Sequence, residues 1–340
     1  MSTRSRARSK SSKVKSMMKK IALYGTYSEN MLACLEKKCP EGFSLYHVAA
    51  DAPVAELADA DYIVSRAGAV GEEAFAAAPR LRMVQKWGVG YDKIDVKAAG
   101  QRGIPVSICV GGNSMPVAEL AVTLMLTVLR NVVPMDMHME AGEWERDRYF
   151  PRSYLLSGKT VGLVGIGNIA KKVAGILRGG FGCEIIYYDV FRLPEEAEQQ
   201  MGVRYVSLDE LMSQSDIVSV HVPLLESTTG MIDREKLSRM KPTAIIINTS
   251  RGGVINETDL IEALESGKIL GAGLDTYSHE PLGADSPLLR MEQVVTTPHC
   301  AGNTVDNDIN MAAICMDCIK TYDASGDKTM RSIVNKEFLA

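Results

Sequence analysis

The sequence predicts an α/β protein built from two doubly wound parallel-sheet domains, and three observations carry that prediction. From Ile21 onward, short apolar runs rich in β-branched residues alternate with helical stretches, the sequence form of parallel strands joined by crossover helices. The rhythm runs through five candidate strands and then starts afresh at Thr160 for six more. The length of 340 residues also exceeds what one hydrophobic core usually fills.

The first series places strands at Ile21–Tyr24, Ser44–Val48, Tyr62–Val64, Met83–Gln85 and Val106–Ser107, with Pro, Gly and Asp as punctuation between them. The second places them at Thr160–Val164, Glu184–Tyr188, Ile217–His221, Ala244–Asn248, Ala272–Leu274 and Val294–Thr296. Six is the strand number of a full dinucleotide-binding sheet. Between the two series, Pro116–Arg130 reads as an apolar helix with Pro near its start, long enough to link two domains or to pack on a partner subunit. After His299 the chain turns helical to about Tyr322. No solenoid-period repeat is visible, so the organisation is two α/β domains without a third module.

Composition narrows the class. Apolar residues make up 46%, charged residues 24%, and the net charge is -4. No apolar run approaches the ~18 residues of a membrane span, so neither a membrane nor a nucleic-acid partner is expected of the body. Seven scattered cysteines suit free thiols in a reducing compartment, and a cytoplasmic location follows as an expectation. Cys315-Met-Asp-Cys318 has redox or metal spacing but no second pair, so no metal is expected. Residues 1–19 form a basic outlier: Met1 to Lys20 holds eight Lys or Arg and no acid. Lacking an apolar h-region, it reads as a solvated, disordered tail, with a transit peptide or a nucleic-acid-binding arm as alternatives.

Gly165-Ile-Gly167-Asn168-Ile169-Ala170 directly follows a strand and opens a helix. Gly165 allows the tight turn, Gly167 lets backbone N–H groups reach a pyrophosphate, and Ala170 keeps helix and sheet close. Nineteen residues past Ala170, at the end of the next strand, Asp189 is placed to accept hydrogen bonds from the adenosine ribose. A carboxylate there repels a 2′-phosphate and favours NAD over NADP. Arg192 keeps the alternative open: with Asp189 turned away, its guanidinium is placed to hold the extra phosphate.

Reducing a 2-keto acid takes a cation for the substrate carboxylate, a proton donor for the developing alkoxide, and a group that tunes that donor. Three strand-end residues fit. Arg251 lies in Asn248-Thr-Ser-Arg-Gly-Gly253, Glu280 in Asp275-Thr-Tyr-Ser-His-Glu-Pro-Leu282, and His299 in Thr297-Pro-His-Cys-Ala-Gly302. In doubly wound sheets ligands lie beyond the carboxyl ends of the strands, where all three fall.

With the glycine loop and His221-Val222-Pro223-Leu224, these segments stand in the order found in the D-isomer-specific 2-hydroxyacid dehydrogenase family, which the chain resembles from about Lys20 onward. The resemblance implies a Rossmann NAD-binding domain at 116–301 inserted into a flavodoxin-like substrate domain made of 20–115 and 302–335. It implies that Arg251 holds the substrate carboxylate and polarises its carbonyl. His299 moves the proton at the C2 oxygen, and Glu280 hydrogen-bonds the imidazole and favours its protonated form. It places Asp275 at the nicotinamide carboxamide, and Asn168, Ile169, His221, Val222, Pro223, Thr228, Thr249 and Gly302 at the cofactor. The loop Lys86-Trp87-Gly88-Val89-Gly90-Tyr91-Asp92 matches the family's substrate loop, whose backbone N–H groups bind the same carboxylate. Lys93, where Asn is usual, and Trp87 depart from the commoner pattern and bear on substrate size and polarity.

The activity implied is reversible hydride transfer between NADH and C2 of a small 2-keto acid: hydroxypyruvate, glyoxylate or phosphoglycerate-type, or branched or aromatic. Rival readings are an NADP-linked glyoxylate or hydroxypyruvate reductase and a corepressor-like NAD-sensing binding protein of the same fold. Formate dehydrogenases resemble the chain less, having Gln where Glu280 stands. A homodimer is expected of the family. Trp144 reads as a packing anchor under the interdomain segment, and Met135, Met137 and Met139 as core or subunit contacts. His279 reads as a pocket-rim residue, and His47, His138 and His221 as structural or cofactor-adjacent.

Overall fold

The structure, a computed structural model, describes residues 18–339. The basic tail expected over residues 1–19 lies outside the described residues except for Met18 and Lys19, and Lys19 already opens the first strand. The chain forms two compact units, one running to Cys109 and resuming at Ile309, the other Val110–Asp308.

The first unit holds β1 (Lys19–Gly25), α1 (Glu29–Lys38), β2 (Phe43–Val48), β3 (Tyr62–Arg66), α2 (Glu72–Ala77), β4 (Met83–Lys86), α3 (Val96–Gln101) and β5 (Val106–Ser107). All its strands are parallel, in the order β2-β1-β3-β4-β5. The apolar runs of β1 and β3 are buried on both faces, as a parallel sheet under two helical layers requires. Ile21 and Leu23 pack with Met31 and Leu35 on one face, while Ala22 and Tyr24 pack with Phe75 and Ala99 on the other.

The second unit holds α4 (Ser114–Leu129), α5 (Val132–Glu140), β6 (Thr160–Val164), α6 (Asn168–Phe181), β7 (Glu184–Tyr188), α7 (Glu195–Met201), β8 (Val203–Tyr205), α8 (Leu208–Gln214), β9 (Ile217–Val220), α9 (Arg234–Arg239), β10 (Ile245–Asn248), α10 (Glu257–Glu265), β11 (Gly271–Leu274) and β12 (Val294–Thr296). Its sheet is parallel throughout, in the order β12-β11-β10-β9-β6-β7-β8. The terminal helix α11 (Val305–Ser325) begins in this unit and continues in the first.

Three expectations need correction. The larger sheet has seven strands, not six, because Val203–Tyr205 pairs with β7 at the edge. With three residues and one central Arg, this strand carries no apolar run to announce it. The helix expected at Pro116–Arg130 begins at Ser114, and its apolar side is used inside its own unit: Ala121, Leu124, Met125 and Val128 are buried against the sheet. Gly273 permits that approach, since a Cβ there would lie 2.9 Å from Leu124 Cβ and 2.8 Å from Ile247 Cδ1. Trp144 anchors nothing, being 79% exposed, and Met137 and Met139 are likewise on the surface rather than in the core. No single helix among the described residues is long and apolar enough to cross a membrane.

Candidate active site

A parallel sheet sends the loops that follow its strands out at one edge. In the larger sheet, β6 is flanked by β7 on one side and β9 on the other, so the strand order reverses there and the loops after β6 and β9 diverge to form a crevice. Gly165, with φ of +95°, makes the turn out of β6. A Cβ at that position would lie 2.9 Å from Val222 Cγ1 and 3.0 Å from the His221 carbonyl carbon, so only glycine lets the two loops meet. Gly167 then caps the 14-residue helix α6, and a Cβ there would meet nothing within 4 Å. The space in front of Gly167, at the N-terminus of α6 where Asn168 and Ile169 begin the helix, is therefore open, as an anion-binding helix terminus needs.

Asp189, just past β7, accepts the Ile166 N–H at 2.8 Å and the Phe191 N–H at 3.0 Å. Its carboxylate is thereby fixed beside the glycine loop. On the other wall, His221 Nε2 lies 2.9 Å from Ser219 Oγ, and burial pushes the imidazole down to about 4. Pro223 and Thr228 belong to one turn, in which the Thr228 hydroxyl donates to the Pro223 carbonyl at 2.6 Å and accepts the Leu225 N–H at 2.8 Å. Thr249 Oγ1 is buried without a hydrogen-bond partner, a polar atom left for a ligand to satisfy.

The acid–base group lies along the same edge, on adjacent strands. Arg251 leaves β10 through a turn organised by Asn248, whose Oδ1 accepts the Ser250 N–H at 3.0 Å and whose Nδ2 donates to the Arg251 carbonyl at 3.0 Å. Gly252 follows, where a Cβ would lie 1.9 Å from the Tyr277 carbonyl carbon and 2.4 Å from Ser278 N. The Arg251 turn is thus pressed backbone to backbone against the loop that carries Glu280. That loop folds back so that Glu280 Oε1 accepts the Tyr277 N–H at 3.2 Å, while its Oε2 accepts from His299 Nδ1 at 2.8 Å. The His299 side chain remains 44% exposed, so its second nitrogen is accessible to a reactant. A cavity of about 550 Å³ opens at this pair, lined among others by Tyr277, Leu282, Leu289 and Thr297.

His299 has a φ of +50°, a left-handed conformation that a non-glycine residue holds only when its surroundings impose it. Asp275 imposes it. Fully buried at the end of β11, its carboxylate accepts the Cys300 N–H at 2.9 Å, the Ala301 N–H at 3.0 Å and the Thr297 hydroxyl at 2.6 Å. Both oxygens are therefore engaged by the His299 turn itself, and Gly302 follows against Asn113. Tyr277 adds a brace, its hydroxyl donating to the Leu274 and Thr297 carbonyls at 3.0 and 2.8 Å, with burial pushing the phenol up to about 12.

In the first unit, the loop after β4 is held by the Trp87 N–H donating to the Ser65 carbonyl and by the Gly88 carbonyl accepting the Cys109 N–H, both at 2.9 Å. Trp87 is buried among core side chains, edge-on to Tyr27, so the loop offers its backbone at Gly88, Val89 and Gly90 rather than the indole. Gly88 has φ of +122° and open space in front of it. Beneath the loop, Cys109 Sγ lies 3.4 Å from Cys315 Sγ, and among the described residues no group of side chains could hold a metal ion.

Residues 122–301 match the family model described as the D-isomer specific 2-hydroxyacid dehydrogenase NAD binding domain. The chain belongs to this family. It is 43% identical over 263 residues to a glyoxylate reductase of Korarchaeum cryptofilum, covering 76% of this chain and 78% of the relative. Among solved structures, an NADPH-dependent glyoxylate/hydroxypyruvate reductase from Sinorhizobium meliloti in complex with citrate matches with a TM-score of 0.80 and 30% identity, over 95% of this chain and 100% of that one. An NAD-dependent formate dehydrogenase from Staphylococcus aureus in complex with NAD matches at the same TM-score with 29% identity, over 93% of this chain and 98% of that one.

As a 2-hydroxyacid dehydrogenase the protein is an oxidoreductase acting on CH–OH donors, from a family that acts on small 2-hydroxy and 2-keto acids, and residues 122–301 are its NAD-binding domain. The open helix terminus at Gly167 and the unpartnered Thr249 hydroxyl fit that cofactor. Asn248 and Tyr277 stand inside the strand-end motifs, but the sequence alone assigns them no role. An Asn closing an apolar strand was the available signal for the first. For Tyr277 there was none, since its partners lie 3 and 20 residues away.

Proposed function

We propose that the chain reduces a small 2-keto acid of the glyoxylate or hydroxypyruvate type with NADH in preference to NADPH, through Arg251, His299 and Glu280. The observation that carries this reading is the 2.8 Å His299–Glu280 hydrogen bond at the sheet edge from which Arg251 also emerges. The bound dinucleotide supplies or accepts the hydride at C2. Arg251 binds the substrate carboxylate and orients the carbonyl. His299 donates a proton to the C2 oxygen during reduction and removes it during oxidation, while Glu280 fixes the ring's tautomer and lies against the cation. In the first unit, which we assign to substrate binding, the N–H groups of Gly88, Val89 and Gly90 are donors for a carboxylate. Gly165, Gly167, Asn168, Ile169, Asp189, His221, Val222, Pro223, Thr228, Thr249, Asp275, His299 and Gly302 frame the cofactor.

Preference for NADH rests on the Asp189 carboxylate beside the glycine loop. The glyoxylate-type substrate rests on the two reductases above. A homodimer is part of the proposal, supported by the exposed apolar side chains of Val132, Met137, Met139, Trp144, Phe150 and Leu155. Light scattering on the purified protein that gave a monomer would reject it.

The test is oxidation of NADH and NADPH, followed at the nicotinamide absorbance, against glyoxylate, hydroxypyruvate, 3-phosphohydroxypyruvate, 2-ketoisocaproate, phenylpyruvate and pyruvate. Turnover of glyoxylate or hydroxypyruvate with NADH is the expected result. Turnover confined to the branched or aromatic acids would overturn the substrate reading, and a preference for NADPH would overturn the cofactor reading.

A further inference from the structure

The ribose end of the nucleotide crevice contains an ion pair that the proposed chemistry does not use. Arg192 lies three residues past Asp189, where a guanidinium could hold an additional phosphate, but one edge of it is committed elsewhere. Its Nε donates to Glu198 Oε1 and its Nη2 to Glu198 Oε2, both at 2.9 Å, a bidentate fork. Glu198 is buried in the first turns of α7 and is itself anchored: its Oε1 accepts the Tyr187 hydroxyl at 2.7 Å, and that hydroxyl accepts the Leu193 N–H at 2.9 Å. The guanidinium also stacks over the Tyr205 ring, 5.4 Å from its centroid. The bonds from Arg192 and Tyr187 hold the Glu198 carboxyl down at about 2, so the fork stays ionised through the neutral range.

Two anionic side chains thus flank the segment 189–198 with different partners. Asp189, at the crevice, accepts the backbone N–H groups of Ile166 and Phe191. Glu198 takes up the nearby cation. We propose that Glu198 is a cofactor-specificity residue acting through Arg192: by holding the guanidinium in the fork, it denies a ribose 2′-phosphate the counter-charge that Asp189 already opposes. This rests on the reading of the Gly165–Asp189 crevice as the dinucleotide site. Discrimination against the phosphorylated cofactor is then shared by one carboxylate that repels and one that withdraws the attraction. Glu198 is a positioning residue, since it acts through Arg192.

The experiment is calorimetric binding of NADH, NADPH, ADP and 2′,5′-ADP to the full-length protein and to Glu198→Gln, which keeps the shape and an acceptor for the Tyr187 hydroxyl. Release of Arg192 predicts that affinity for 2′,5′-ADP and NADPH rises about ten- to a hundredfold, the range for one charge-assisted contact, while NADH and ADP bind as before. Adding Arg192→Ala to that variant removes the gain. Equal weakening of all four ligands, or a gain that survives Arg192→Ala, overturns the proposal and leaves the fork a staple of the 189–198 turn. Arg192→Ala alone gives a check that does not depend on altering the buried carboxylate: with the guanidinium already withdrawn, NADPH affinity stays unchanged, and a marked loss would show that Arg192 serves the phosphate. Native protein that binds neither NADH nor ADP would instead sink the crevice reading itself.

Discussion

Replacing Asp275 by alanine removes the acceptor of two main-chain N–H groups, those of Cys300 and Ala301, and of the Thr297 hydroxyl. The hydroxyl has a second acceptor within reach, the Leu274 carbonyl at 3.5 Å, so the two N–H groups set the scale. A buried donor left without a partner costs about 1–3 kcal/mol, which predicts a loss of about 2–6 kcal/mol from the second unit. The left-handed φ of His299 loses its restraint at the same time, and relaxing it relieves about 1–2 kcal/mol of local strain, so the turn moves rather than waits. Asp275→Asn keeps one oxygen for the Thr297 hydroxyl and the Cys300 N–H but turns an amide toward the Ala301 N–H, and a loss of about 1–3 kcal/mol follows. Urea unfolding of the three proteins measures the order, native above Asn above Ala. Hydrogen exchange of the 297–302 peptide localises it, with protection of the Cys300 and Ala301 amides falling first. Unchanged exchange in that peptide in the alanine variant, or an asparagine variant less stable than the alanine one, would refute the assignment of Asp275 as the strut of the His299 turn.

His299→Ala lowers kcat by roughly two to four orders of magnitude, the range for a lost general acid, while calorimetric NADH binding persists; near-normal turnover would remove His299 from the mechanism. Arg251→Ala raises KM for the keto acid and lowers kcat as well, and an unchanged KM would refute the carboxylate role. Gly252→Ala forces a methyl group to within 1.9 Å of the Tyr277 main chain, so the Arg251 turn and the Glu280 loop separate. Activity falls with Tm, and a variant with native Tm and kcat would show that this contact is not needed. Burial holds the His221 imidazole at about 4, below the unfolded value near 6.5, so the unfolded chain takes up the proton first. The stabilisation is complete above pH 6.5 and is lost as the pH falls toward 4, by at most about 3 kcal/mol. His221→Asn therefore flattens the dependence of Tm on pH between 7 and 4.5, and an unaltered slope would place its origin elsewhere.

Alternation of apolar runs with helices, the glycine loop behind its strand, and three polar residues at successive strand ends are enough to predict the fold class and to single out Asp189, Arg251, Glu280 and His299 from the sequence. These signals are local: strand burial writes itself as consecutive Ile and Val, and a turn that must approach another backbone writes itself as Gly165 or Gly252. Tertiary structure alone decided what the polar atoms do. That Asp275 spends both oxygens on residues 22 to 26 positions away is an outcome of which loops the parallel sheet brings to one edge. The edge strand Val203–Tyr205 was missed for the same reason: three residues with a central Arg become a strand only when β7 supplies the hydrogen bonds, and no spacing along the chain records that neighbour.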